Sequence, residues 1–162
     1  MKTTVLNTSL TVLLALTGAT FAFAGAEQEF DAAYRAGKPL TAEAAYLKIV
    51  KSNAKVAPLV HFQAAEIARN RCQGLQERDR LALFLRQEKG WTPEVESALW
   101  VLVASGDNIE HFRRLAAHIP ASDPFLVRDG FVMFQRFLNA RRFSPAFQMG
   151  GALIEAFGKD QQ

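Results

Sequence analysis

Apolar side chains recur every three or four positions along most of the chain, with no sustained alternation of apolar and polar residues that would mark a strand. After Pro93, for example, Val95, Leu99, Leu102 and Val103 form one stripe while Glu94, Glu96 and Ser97 lie off it, the pattern of an amphipathic helix. Thr92-Pro93, Asp123-Pro124 and Ser144-Pro145 mark helix starts. There a short polar side chain accepts orphan N–H groups of the first turn, and proline has no N–H to lose. Asp107 with Glu110 reads as a capping box. Gly37, Gly74, Gly90, Gly106 and Gly158 follow apolar-periodic runs, where a left-handed residue closes a helix. These signals predict helices over residues 27–36, 40–53, 57–72, 75–89, 93–105, 108–119, 124–140 and 144–157. The short connections between them favour antiparallel neighbours. The expected fold is all-α: about eight antiparallel helices forming four helical hairpins, with a non-repetitive helical bundle as the alternative.

The turns inside successive hairpins fall near Gly37, Cys72, Gly106 and Arg141, at separations of 35, 34 and 35 residues. A spacing of about 34 residues is that of tetratricopeptide-type arrays. The first hairpin carries Ala42 and Tyr46, with Pro58 near its boundary. The second supplies Ala64, Ala65 and Ala68, with Glu77 where that family places an alanine. In the third, Gly106 sits at the turn and Pro124 closes the unit, while Leu99 replaces a small residue and His111 an alanine. The fourth keeps Ala146. On this period and these residues the chain resembles a degenerate tetratricopeptide-like family. The resemblance implies a right-handed solenoid whose concave face holds a protein or peptide segment.

The amino-terminal residues carry a different signal. Lys2, an apolar stretch from Leu10 to Phe23, and small residues at Ala22 and Ala24 read as a cleavable export signal. The cut falls after Ala24, or after Ala26, where Ala24 and Ala26 serve equally well. Thr11, Thr17, Gly18 and Thr20 interrupt the stretch and argue against a retained membrane anchor, which needs about 20 mostly apolar residues. The expectation is a signal peptide over 1–24 and one all-helical domain over 25–162, periplasmic or secreted, with no transmembrane segment after cleavage. Loss of Lys2 lowers the formal net charge from +3 to +2, far from the dense basic field of a nucleic-acid binder. Cys72 is the only cysteine, so no internal disulfide forms. It reads as a small buried hydrophobe, with a reactive thiol as the competing reading.

No constellation of residues declares a chemistry. His111 and His118 are seven apart on one predicted helix, roughly 10 Å from each other, too far to share a metal ion without help. Glu43, Glu66 and Glu155, each set among apolar residues, are the only candidates for a carboxylate of raised pKa. Gly150-Gly151 lacks the spacing of a phosphate-binding loop and reads as a place where another helix approaches closely. No cofactor or metal is implied.

Seven of the 13 phenylalanines follow Pro124, and arginines cluster in the same half of the chain. Aromatic side chains and arginine together enrich protein interfaces. The predicted partner-binding residues are Arg113, Arg114, Arg136, Arg141 and Arg142, with Phe131, Phe134 and Phe143. The function expected from these observations is an extracytoplasmic adaptor binding a protein or peptide in an envelope or secretion assembly. Two alternatives stay open: a small-ligand binder or hydrolase with a pocket in the helical core, and a periplasmic immunity protein.

Overall fold

A computed structural model describes residues 25–52, 56–106 and 108–158. The export signal predicted at 1–24 and Asp107 of the predicted capping box lie outside the described residues. Among the described residues there are eight helices and no strand. They are α1 (residues 25–35), α2 (Pro39–Lys51), α3 (Pro58–Asn70), α4 (Gly74–Gln87), α5 (Pro93–Ser105), α6 (Ile109–Ala116), α7 (Pro124–Asn139) and α8 (Phe143–Phe157).

The starts follow local chemistry. Proline occupies the first helical position of α2, α3, α5 and α7, where its missing N–H costs nothing. Thr92 Oγ1 accepts from the Val95 amide, and Asp123 Oδ1 accepts from the Phe125 and Leu126 amides. Two predicted caps are corrected. Asn108 caps α6, accepting from the Glu110 amide. α8 starts one residue earlier than predicted: Arg142 is its N-cap, and Ser144 and Pro145 lie inside the first turn.

Left-handed backbone occurs at four described residues: Gly37, Cys72, Gly106 and Arg141. These are the positions of the predicted hairpin turns, 35, 34 and 35 residues apart. At three of them the turn is a Schellman closure. The Lys38, Gln73 and Arg142 amides reach back to the Ala33, Ala68 and Phe137 carbonyls, while the Gly37, Cys72 and Arg141 amides reach Tyr34, Arg69 and Leu138. The other predicted stop glycines are not left-handed. Gly74 opens α4, Gly158 caps α8 in right-handed conformation, and Gly90 has no positive φ.

The chain forms two compact units, the first ending at Arg80 inside α4. In the first, Phe30, Ala42, Ala45, Tyr46, Ile49, Ala64 and Ile67 share one buried cluster, and the alanines let α2 and α3 pack closely. Tyr34 of α1 bonds to Glu66 of α3, and Arg80 of α4 bonds to Glu43 of α2. In the second unit, α5 packs on α6 and α7 on α8 within hairpins, while α5 also packs on α7 and α6 on α8. The result is two layers of paired helices. Phe112, Leu115, Leu126, Met133 and Met149 are fully buried at its centre. Gly130 makes the closest approach there: a Cβ would lie 2.7 Å from the Phe112 ring and 2.8 Å from Leu153 Cδ2. No described helix is long and apolar enough to cross a membrane.

Two stability changes of opposite sign follow. Gly130→Val forces branched atoms against the Phe112 ring and lowers stability by about 2 kcal/mol or more. Cys72→Gly and Arg141→Gly remove the left-handed Cβ penalty, and each raises it by about 1 kcal/mol. Urea-unfolding midpoints of the three variants check both signs.

Candidate partner-docking face

The catalytic candidates of the sequence are dispersed. Glu43 accepts two hydrogen bonds from the Arg80 guanidinium, which also donates to the Ala64 carbonyl at 2.8 Å and lies 4.6 Å from the Tyr46 ring centre. Glu66 accepts from the Tyr34 hydroxyl. Glu155 is exposed on α8, 3.8 Å from Arg113 Nε. Cys72 is exposed, not buried, and occupies the left-handed position of its turn. His111 and His118 do not share a helix: α6 ends at Ala116, and the His118 ring instead stacks on Trp91 at 4.0 Å between centres. Among the described residues no three His, Cys, Asp or Glu side chains group as metal ligands do.

The predicted arginines are placed one by one. Arg114 donates to the Glu88 and Gly90 carbonyls at 3.1 and 2.9 Å, tying the segment before α5 to α6. Arg136 donates to the Ala104 carbonyl in the last turn of α5, where positive charge complements the helix dipole. Arg113 pairs with Glu110 at 2.6 Å. Arg141 holds the left-handed turn, and the Arg142 guanidinium lies 5.0 Å from the Phe137 ring centre. So Arg113, Arg114 and Arg136 have partners within the chain, and Arg141 and Arg142 stand at the α7–α8 turn.

The aromatic residues gather differently. Phe134 and Leu138 of α7 and Phe143, Phe147 and Ile154 of α8 line an open apolar groove of about 470 Å³. Phe143 is 67% exposed, Phe147 85% and Ile154 73%. Gly150 and Gly151 also line it. Phe131 is exposed on α7 without lining this groove. The structure corrects the reading of Gly150-Gly151 as a contact for another helix of this chain. A Cβ on Gly151 would meet nothing within 4 Å, and one on Gly150 only the Phe134 ring at an ordinary 3.6 Å. Phe147 and Ile154 were absent from the predicted site. Their signal was available: α8 carries a second apolar stripe at 143, 147, 150 and 154 beside the buried one at Ala146, Met149 and Leu153.

Among the described residues no titratable side chain lines the groove, and the side chains that do line it can bury apolar groups. Burial of one large apolar side chain there is worth about 1.5–3 kcal/mol. The perturbed groups lie elsewhere. Burial lowers the His61 pKa, and the ring Nδ1 sits 3.0 Å from the Tyr46 hydroxyl. His111 is lowered by burial first and by Arg114 second, with Glu110 opposing. Tyr34 is pushed up to about 12 by its hydrogen bond to Glu66, and Tyr46 is raised by burial.

Comparison with family models, with curated proteins and with solved structures finds no match to this chain.

Two titrations test this electrostatic description. The folded chain binds fewer protons at His61 and His111 than the unfolded chain does. Their contribution to stability is therefore present above the ordinary imidazole value of about 6.5 and is lost as pH falls below it. Urea midpoints should fall between neutral pH and mildly acidic pH, and the double variant His61→Gln/His111→Gln should show a flatter profile. The chain has two tyrosines, both raised, so tyrosinate absorbance at about pH 10 should be lower in the folded protein than in the unfolded chain. Glu66→Gln should bring one of them into that range.

Proposed function

We propose that the protein is an exported adaptor of degenerate tetratricopeptide-like hairpins whose α7–α8 face holds a protein or peptide partner of an envelope or secretion assembly. The observation that carries this reading is the groove with its projecting Phe143, Phe147 and Ile154. Large apolar side chains gathered on an exposed face are a signature of protein contact sites. A groove without charge selects an apolar segment and leaves specificity to shape. The export address rests on Lys2, the Leu10–Phe23 stretch and the small residues at Ala22 and Ala24. The turn spacing of 35, 34 and 35 residues supports the repeat reading. The catalytic alternative draws less support, because Glu43 and Glu66 are each engaged by another side chain and Glu155 stands in the open.

Three measurements test the proposal. The protein recovered from the envelope fraction should begin at Gly25 or Glu27. A photoreactive phenylalanine analogue at position 147 should cross-link to one defined polypeptide rather than to many. Phe147→Glu should abolish that cross-linked species when paired with a probe at Phe143, with the helical circular dichroism unchanged. A bound small molecule in place of any polypeptide would overturn the adaptor reading.

A further inference from the structure

We infer that the occupant of the α7–α8 groove is a second copy of this chain, seated by antiparallel pairing of the two α8 helices about a two-fold axis. The inference rests on the reading that this face docks protein, and it names the partner.

The first ground is continuity with packing already inside the chain. The left-handed turns at Gly106 and Arg141 are 35 residues apart, so a shift of 35 relates the third hairpin to the fourth. Under that shift Leu99 corresponds to Phe134, Val103 to Leu138 and Phe112 to Phe147. The three members in the third hairpin are fully buried. Phe112 in particular is covered by the fourth hairpin, through Gly130 and Leu153, and meets Phe157 edge-on at 6.4 Å. The groove is thus the repeat-equivalent of a face that elsewhere in the molecule is closed by a pair of helices. Among the described residues no further hairpin follows to close it.

The second ground is the symmetry of the stripe. The residues of α8 that line the groove at 143, 147, 150 and 154 are spaced four, three and four apart. This is the spacing of a helix–helix seam. It also reads the same from either end, which an isologous contact between antiparallel helices requires. An axis between Gln148 and Met149 sets Phe147 of each copy opposite Gly150 of the other, and Phe143 opposite Ile154. A projecting ring then meets a position without a side chain, twice. Glycine inside a helix costs about 1 kcal/mol relative to alanine. Among the described residues no contact explains that cost at Gly151, and only an ordinary one touches Gly150.

Sedimentation equilibrium of the purified protein tests the assignment. Wild-type protein should show a concentration-dependent monomer–dimer equilibrium with no larger species. Phe147→Glu should weaken dimerisation about tenfold or more, and Gly150→Leu, which fills the opposing hole with a good helix former, should do the same. Circular dichroism verifies that each variant is folded. A wild-type protein that stays monomeric, or a dimer indifferent to both Phe147→Glu and Gly150→Leu, overturns the proposal. If the wild type is monomeric yet its probe at position 147 still cross-links a different polypeptide, the second copy falls as occupant while the adaptor reading stands.

Discussion

Hairpin closure is the constraint on which the described architecture depends. A helix can reverse into its neighbour over two or three residues only if one residue turns left-handed and lets the following amides bond back to the last carbonyls. Gly37, Cys72, Gly106 and Arg141 fill that place, and two of them do so with a Cβ that disfavours it. The tolerance of cysteine and arginine there shows that the return of the second helix outweighs a local penalty of about 1–2 kcal/mol. Once the turns are fixed, small residues set how closely the helices meet: Ala42, Ala45 and Ala64 in the first unit, Gly130 in the second.

Charge plays a supporting part. Arg80, Arg114 and Arg136 all donate to main-chain carbonyls, at Ala64, at Glu88 and Gly90, and at Ala104. A guanidinium suits this use because its several donors are held in a rigid plane and it keeps its charge when buried. Arg80 is the most demanding case, since it is nearly inaccessible and relies on Glu43 for compensation. Removing Glu43 would strand a buried cation, which is far more costly than never having placed one there. In the second unit Arg114 and Arg136 serve as such clamps, and the described residues that line the α7–α8 groove are uncharged.

The helices were legible because their signals act within one turn. Thr92 and Asp123 meet amides two or three residues away, and the hairpin turns recur with the period of the chain. The misreadings share a cause in distance. Ser144-Pro145 resembles the caps that work, yet the Schellman closure around Arg141 admits Phe143 to the helix first. Whether an arginine is available to a partner depended on carbonyls 24 to 32 residues away, which no local pattern announces. Gly130 and the pair Gly150-Gly151 look alike in sequence. Only packing separates the glycine under Phe112 from the two that no described residue crowds. The groove itself was half visible, as a surplus of phenylalanine too large for one buried stripe.

The two-sided character of α8 also bears on how the molecule is made. A helix apolar on both flanks is a poor isolated element, prone to stick wherever apolar surface is offered. It follows all the other described helices in the chain, and its inner stripe rests on α6 and α7, which are complete before it emerges. Contacts between sequence neighbours form fast. A chain that assembles in order from its amino end therefore gives α8 a ready template on one flank. The interval in which both flanks stand bare, and in which misassembly competes, is the shortest the connectivity allows.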